Sequence, residues 1–212
     1  MKAFDYSRIK KYKFAVLMKP FFKTVFLGSY RVQVIGRENI PKEGGFIVAS
    51  NHISGIDAVF INVLLRTPIH YMGKQELFEL PVLGTMYQHL NGFPVTRGTG
   101  DKKAIKYAID VVKQGGVLGI FPEGTRSKDF TPQPAKAGVA LIARQAKAGV
   151  LPVSIYSEGR AKPFSKVTVR FCEIIPYENF TFGSGIKSNE LKDALDLVMN
   201  KVKALWALKH SK

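Results

Sequence analysis

A histidine and an aspartate five positions apart, His52 and Asp57, are the side chains of this sequence best suited to moving a proton. On one continuous helix they would point about 140° apart, but Gly55 between them allows the chain to turn. With His52 in a loop and Asp57 at the start of the next helix, the carboxylate can hold one imidazole nitrogen while the other accepts a proton. The pair would then serve as a general base for an external nucleophile.

A second group of polar side chains follows Pro122 and combines a carboxylate, a hydroxyl and a guanidinium in Glu123-Gly124-Thr125-Arg126. Arginine binds phosphate through two parallel hydrogen bonds, and hydroxyl and backbone N–H groups add further donors. The segment therefore predicts a site for a phosphorylated molecule. An ordinary turn with an internal ion pair explains this segment equally well when it is considered alone.

Other chemistries find less support in the same residues. Ser54 lies two positions from His52, a poor geometry for a nucleophile and its base, and the G-x-S-x-G motif is absent. No third ligand accompanies His52 and Asp57, so no metal site is expected. Cys172 ends an alternating run, where a core or surface thiol is the usual role. The ordinary alternative for the His–Asp pair is a surface histidine beside a helix-capping aspartate.

The elements that must position these residues alternate between strands and helices. Apolar or alternating runs predict strands at 30–35, 45–49, 69–72, 93–95, 117–121, 150–156 and 167–171. Capped or amphipathic segments predict helices at 57–66, 102–113, 137–148 and 189–208. This order predicts an α/β domain over residues 30–212, with a mainly parallel (mixed) sheet flanked by helices. Ligands bind beyond the carboxyl ends of strands in such folds, and both polar clusters fall there.

The N-terminal segment has a different composition. Residues 1–37 hold nine basic residues and one acidic residue, which is half of the net charge of +16. Large apolar and aromatic residues alternate with these cations, a pattern typical of a helix lying in a membrane interface. Because Pro20 interrupts the segment, the sequence predicts an amphipathic two-helix membrane-docking segment over residues 1–29. The alternative is a helix packed on the protein's own core with solvated lysines.

Composition narrows the class of protein. A hydrophobic content of 46% fits a globular fold, and a single cysteine excludes a disulfide framework. No apolar stretch is long enough to span a bilayer, and no secretory signal is evident, so an intracellular protein is expected. The net charge of +16 fits nucleic acid as well as a membrane. A nucleic-acid-binding module would, however, leave His52, Asp57 and Glu123 without a role.

Several motifs together resemble a known family. Asn51-His52-Ile-Ser-Gly-Ile-Asp57 resembles the N-H-x4-D block of the glycerolipid acyltransferases, including the bacterial enzymes that acylate 1-acylglycerol 3-phosphate. Three further blocks of that family resemble the segments 92–97, 121–127 and 150–153, and its lysine-containing stretch resembles 73–84. The blocks occur in family order between residues 51 and 153. The resemblance identifies the chain as a member of this family.

The resemblance implies a mechanism and a set of roles. His52, held by Asp57, would take the proton from a glycerol hydroxyl as that oxygen attacks an acyl thioester, without a covalent enzyme intermediate. The phosphate of the acceptor would be bound by Lys74, Arg97 and Arg126, in a pocket shaped by Glu123, Gly124 and Thr125. The supporting motif residues are Asn51, Pro122, Pro152 and Val153, and backbone near the last two would donate to the oxyanion. No cofactor and no metal are implied.

The resemblance also implies substrates and a location. The acceptor would be 1-acylglycerol 3-phosphate, acylated at the sn-2 hydroxyl to give phosphatidic acid, and the donor acyl-ACP or acyl-CoA. The enzyme would be a peripheral or monotopic protein on the anionic bilayer surface at the cytoplasmic face of the cell membrane. Nucleic acid is not expected as a partner. Glycerol 3-phosphate or a different lysolipid remains an alternative acceptor.

Overall fold

A seven-stranded mixed sheet forms the centre of the protein, and the computed structural model describes residues 4–9, 13–96, 98 and 100–211. The strands are β1 (Arg31–Ile35), β2 (Phe46–Ser50), β3 (Ile69–Lys74), β4 (Gly92–Val95), β5 (Val117–Ile120), β6 (Val150–Ser157) and β7 (Lys166–Phe171). They lie in the order β1-β7-β6-β2-β5-β3-β4. The strands from β6 to β4 are parallel, whereas β7 is antiparallel to β6 and parallel to β1. The predicted mainly parallel α/β fold is therefore confirmed.

Helices connect and cover these strands. They are α1 (Lys13–Ser29), α2 (Asp57–Leu64), α3 (Gln75–Glu79), α4 (Pro81–His89), α5 (Lys102–Lys113), α6 (Gly138–Ala146) and α7 (Ser188–Ala207), with 3-10 turns at Arg37–Asn39 and Tyr177–Asn179. The side chain of Asp101 accepts from the Ala104 N–H at 3.1 Å and caps α5 as predicted. The sequence analysis did not predict α3 and α4, which are five and nine residues long and are separated only by Leu80 before Pro81.

Apolar side chains pack on both faces of the sheet. In β2, Ile47 and Ala49 join the layer formed with α5, α6 and α7, while Phe46 and Val48 join the layer formed with α1 and α2. Every residue of β2 is buried. This two-sided burial explains why β2 is a continuous apolar run rather than an alternating one. It also makes β2 a rigid support for the residues that follow it.

The N-terminal segment contains one described helix where the sequence predicted two. Helix α1 continues through Pro20, although a proline inside a helix removes a backbone hydrogen bond and costs about 3 kcal/mol. Packing offsets this cost, because Phe22 and Phe26 join the apolar layer beside α2, with the Phe26 and Phe60 rings 6.1 Å apart. The prediction of two short helices is wrong for this reason.

Residues 4–9 pack on the domain without forming a helix. The rings of Phe4 and Tyr6 lie 5.5 and 6.0 Å from that of Tyr107 in α5. The Tyr6 hydroxyl donates to the carbonyl of Pro94 at 2.9 Å, and burial raises the pKa of Tyr6 to about 12. Throughout the described ranges, no helix is both long and apolar enough to cross a bilayer.

Candidate active site

The end of β2 is fixed by the side chain of Asn51. Its Nδ2 donates to the carbonyl of Ile155 at 2.8 Å, and its Oδ1 accepts from the Ile155 N–H at 2.9 Å. The amide thus continues the parallel pairing of β2 with β6 for one more step after the backbone has left the sheet. Asn51 is buried, so both bonds are shielded from water. These two hydrogen bonds consequently hold the backbone in place directly before His52.

His52 and Asp57 form a hydrogen-bonded pair. Nδ1 of His52 lies 2.8 Å from Oδ2 of Asp57, which also accepts from the backbone N–H groups of Ile53 and Ser54 at 2.7 Å each. Asp57 is the first residue of α2 and is completely buried, whereas the His52 side chain is 17% exposed. Because a carboxylate only accepts hydrogen bonds, Nδ1 carries the proton of the neutral ring and Nε2 is the nitrogen that can accept another.

One aromatic ring packs flat on the imidazole, and a second ring packs on the first. Phe121 stacks on His52 with centroids 4.1 Å apart and planes 16° apart, and Tyr71 stacks on Phe121 with centroids 5.8 Å apart. Gly119 makes room for Tyr71, since a Cβ there would lie 2.2 Å from its ring. Burial, and then the charge of Asp57, raise the pKa of Tyr71 well above its ordinary value. No local pattern predicts this stack, because Tyr71 lies in β3 and Phe121 directly follows β5.

The two predicted polar clusters meet at the backbone of His52. Oε1 of Glu123 accepts from the His52 N–H at 3.3 Å, and the Ser127 N–H donates to the His52 carbonyl at 2.8 Å. Glu123 is buried, and burial raises its pKa from 4.5 to about 7, although the N–H groups of Gln133 and His52 act against that rise. The loop after β5 therefore clamps the loop after β2.

We expect Glu123→Gln to remove a pH dependence of stability. Because the folded-state pKa of Glu123 is raised, the folded state holds its proton longer than the unfolded state as pH increases. The wild-type free energy of unfolding should fall between pH 4.5 and about 7 and receive no further change from this group above that window. Glutamine stays neutral at all these pH values. Near pH 8 the free energy of unfolding of the variant should therefore exceed that of wild type by on the order of 1 kcal/mol. Urea denaturation at several pH values measures the difference, and parallel curves for the two proteins would contradict the assignment.

Arg126 directly precedes Ser127 in the loop after β5. It is exposed, and a Cβ at Gly55 would come within 3.5 Å of its Nη1. No carboxylate among the described residues forms an ion pair with Arg126. Gly124 has a φ of +74°, which favours glycine, and a Cβ there would lie 3.9 Å from the side chain of Lys136. Lys136, which the sequence analysis missed, is thus a second cation beside the turn that holds Thr125.

Lys74 and Arg97 were also predicted to bind the phosphate of the acceptor. Lys74 ends β3, and its ammonium group lies 2.7 Å from Oε1 of Glu76. Arg97 lies outside the described residues.

The expectation that backbone near Pro152 and Val153 donates to an oxyanion is wrong. Proline has no N–H, and both residues are buried in β6 between β2 and β7, where the sheet uses their backbone groups.

The fold and the site define an α/β enzyme domain with a histidine–aspartate pair and an exposed guanidinium at one edge of its sheet. A family model described as Acyltransferase matches residues 31–156, which is more than half of the chain. The chain belongs to the acyltransferase family. The resemblance found in the sequence is therefore confirmed, and the protein is an acyl-transferring enzyme.

Named relatives and one solved structure agree with this membership. The chain is 35% identical over 136 residues to the 1-acyl-sn-glycerol-3-phosphate acyltransferase of Bacillus subtilis (strain 168), covering 64% of this chain and 67% of that protein. It is 28% identical to the enzyme of the same name from Borreliella burgdorferi, covering 67% of this chain and 58% of that one. The crystal structure of the 1-acyl-sn-glycerophosphate (LPA) acyltransferase PlsC from Thermotoga maritima superimposes with a TM-score of 0.72 at 28% identity, covering 93% and 81% of the two chains.

Proposed function

We propose that this protein transfers a fatty acyl group from acyl-ACP or acyl-CoA to the sn-2 hydroxyl of 1-acylglycerol 3-phosphate, giving phosphatidic acid. The observation that carries the proposal is the 2.8 Å contact between His52 and Asp57 beside the exposed Arg126. Relatives with this activity in their names support the choice of acceptor. The histidine supplies a base, and the guanidinium supplies a group that binds phosphate.

The proposed reaction proceeds without an enzyme-bound acyl group. Nε2 of His52 accepts the proton of the sn-2 hydroxyl as that oxygen forms a bond to the thioester carbonyl carbon. The carbonyl electron pair moves to oxygen, and Asp57 stabilises the imidazolium that results. When the tetrahedral intermediate collapses, the C–S bond breaks and the thiolate receives the proton from Nε2. The products are the ester and a free thiol.

The surroundings of the pair support direct transfer. Oγ of Ser54 accepts from the Ile56 N–H at 3.5 Å and makes no described hydrogen bond to His52. Cys172 follows β7, which runs antiparallel to β6, so this thiol lies at the sheet edge opposite the histidine. Neither residue is therefore positioned as a nucleophile that His52 could activate.

Arg126→Ala should weaken binding of a phosphorylated acceptor specifically. A charge-assisted hydrogen-bond pair is worth enough to raise KM for lysophosphatidate about 10- to 100-fold, with a smaller change in kcat. Arg126→Lys should recover part of this loss, because lysine keeps the charge without the bidentate fork. The assay mixes purified protein with a labelled acyl thioester and lysophosphatidate, glycerol 3-phosphate or monoacylglycerol.

The exposed Lys128 provides the matched control, and Lys128→Ala should leave KM unchanged. Acylation of lysophosphatidate but not of glycerol 3-phosphate by wild type supports the proposed acceptor. Preference for glycerol 3-phosphate would favour the alternative. An Arg126→Ala loss that is equal for lysophosphatidate and monoacylglycerol would contradict a phosphate-binding role.

The membrane contact proposed for residues 1–29 rests on the outer face of α1. Val16, Leu17 and Phe21 are exposed there, with Leu17 at 75%. Lys19 and Lys23 lie on the same helix, and burial, with a smaller effect of Lys23, lowers the pKa of Lys19 to about 8. An apolar face with neighbouring cations suits the interface of an anionic bilayer at the cytoplasmic face of the membrane. Residues 30–212 would form the catalytic domain held against it.

A further inference from the structure

The loop between β6 and β7 displays a large aromatic side chain in water. Phe164 is 77% exposed, more than any other large apolar residue of the described ranges except Val82. Its φ of +68° lies in the left-handed region, which a bulky side chain occupies at a cost. Within the described residues the ring is not buried, so no burial of apolar surface offsets the cost of this backbone conformation.

Backbone hydrogen bonds fix the exposed position of the ring. The Phe164 N–H donates to the carbonyl of Ser29 at 2.7 Å, which attaches the loop to the end of α1. Within the loop, the Ser165 N–H donates to the Lys162 carbonyl, and the Lys162 N–H donates to Oγ of Ser165, both at 3.0 Å. The turn is thus closed on itself, and it presents Phe164 outward instead of letting it fold back.

Four cations lie close to Phe164 along the chain or on the neighbouring strand. Arg160 and Lys162 precede it in the loop, and Lys166 follows it as the first residue of β7, paired in register with Arg31 of β1. Arg31 and Lys166 also line an open depression of about 580 Å³ together with Leu27 and Tyr30. No described carboxylate forms an ion pair with any of these four cations.

This loop lies on the same edge of the sheet as the candidate active site. It begins after Ser157, two residues beyond Ile155, whose backbone is bound by Asn51 next to His52. Its attachment to Ser29 puts it at the C-terminal end of α1. The loop therefore connects the edge that carries the histidine with the helix whose outer face is apolar.

We propose that the segment Arg160–Lys166, with Arg31, is a second docking site for an anionic lipid bilayer. Phe164 enters the interface, and the surrounding cations contact lipid phosphates. With α1 it provides two separated attachments, which turn the active-site edge toward the membrane that holds a lipid acceptor. The proposal rests on the membrane-bound acceptor of the proposed function. The combination of one projecting ring with flanking cations favours a bilayer over nucleic acid, where several rings would stack on bases.

Sedimentation of the whole protein with vesicles tests the contribution of the ring. Phe164→Ser should weaken binding to vesicles of phosphatidylcholine and phosphatidylglycerol about 10-fold, because the burial of one phenylalanine is lost. Ile186→Ser is the matched control, since Ile186 is 57% exposed in the loop before α7, and it should bind like wild type. Arg160→Glu with Lys162→Glu should weaken binding only when phosphatidylglycerol is present. Unchanged binding of Phe164→Ser would overturn the proposal.

Fluorescence tests the insertion directly. Trp206 is the single tryptophan, so Phe164→Trp in a Trp206→Phe background places the only indole in the loop. On vesicles its emission should shift to the blue and be quenched by brominated lipid. A protein that binds vesicles while this indole keeps its solvent emission would contact the bilayer through α1 alone and overturn the proposal. A shift produced by oligonucleotides but not by vesicles would do the same and favour a nucleic-acid surface.

A water-soluble acceptor separates this proposal from the proposed function. Phe164→Ser should acylate a short-chain lysophosphatidate at the wild-type rate without vesicles and lose turnover only when the acceptor is embedded in them. Equal loss on both acceptors would indicate damage to the active site and overturn the docking role. If wild type acylates neither acceptor and the indole nevertheless inserts, the docking site stands and the proposed function fails.

Discussion

Replacing His52 by alanine should lower kcat for acyl transfer by about 10²- to 10⁴-fold, the range that a positioned general base contributes. Nε2 of His52 is the nitrogen left for proton transfer, because Nδ1 is bound to Asp57 at 2.8 Å. The loss should appear equally in kcat and in kcat/KM, since proton removal occurs in the transition state and contributes little to binding. Initial rates with purified protein, lysophosphatidate and a labelled acyl thioester measure it.

Two controls make this result specific. Ser54→Ala removes the nearest hydroxyl in the same loop and should leave kcat within about two-fold of wild type if no serine carries the acyl group. Thermal unfolding of His52→Ala should remain cooperative, because the Asn51 amide and the Ser127 N–H still hold the loop. Wild-type protein quenched with acid during turnover should show no added acyl group in its mass spectrum. A His52→Ala enzyme with nearly wild-type turnover would exclude histidine as the base.

The sequence predicted the α/β architecture because its local signals agree with the tertiary structure. The residues of β2 form a short, fully apolar run, which is what a strand covered on both faces requires. Asp101 and the glycines after Lys113 delimit α5 as the capping pattern predicts. At the site, Gly55 between His52 and Asp57 allowed a close pair to be expected, and their side chains do lie in contact.

Other features depend on contacts between distant segments and have no local signature. Phe121, which follows β5, stacks on both His52 after β2 and Tyr71 in β3, and only the order of the strands in the sheet brings these three segments together. Helix α1 continues through Pro20 because its apolar side chains are buried against α2. Helix propensity, which depends on local sequence, does not include this contribution. The environment of Val153 likewise follows from its two neighbouring strands. Local pattern thus predicts elements, whereas the electrostatic surroundings of a site come from topology.

Topology also explains why the site is rigid on one side and open on the other. Backbone groups of His52 are held by Glu123 and Ser127, and the ring is held by Asp57 and Phe121. By contrast, the guanidinium of Arg126 is exposed and has no described acidic partner. A base fixed in the protein and a cation facing outward suit a substrate that approaches from a surface. This division agrees with an acceptor supplied by a bilayer.

Asp57→Asn should lower kcat by about 10²- to 10³-fold while leaving the fold largely unchanged, because it removes charge but keeps an oxygen acceptor. The asparagine Oδ1 can still accept from the N–H groups of Ile53 and Ser54, which now bind Oδ2 at 2.7 Å each. The imidazolium formed during proton transfer would, however, lose the buried anion that stabilises it. Asp57→Ala should lose both functions, and its unfolding free energy should fall by about 1–3 kcal/mol because two N–H donors lose their acceptor.

The double variant His52→Ala with Asp57→Asn distinguishes a cooperating pair from two independent contributions. If Asp57 acts through His52, the double variant should be no slower than His52→Ala alone, because no imidazolium remains to be stabilised. If the losses multiply instead, Asp57 contributes by another route, such as positioning the loop that binds the acceptor. Comparison with Asp57→Ala identifies that route, since a positioning effect would follow the loss of stability and a charge effect would not. A kcat of Asp57→Asn equal to wild type would show that the carboxylate only holds the backbone of Ile53 and Ser54 in place.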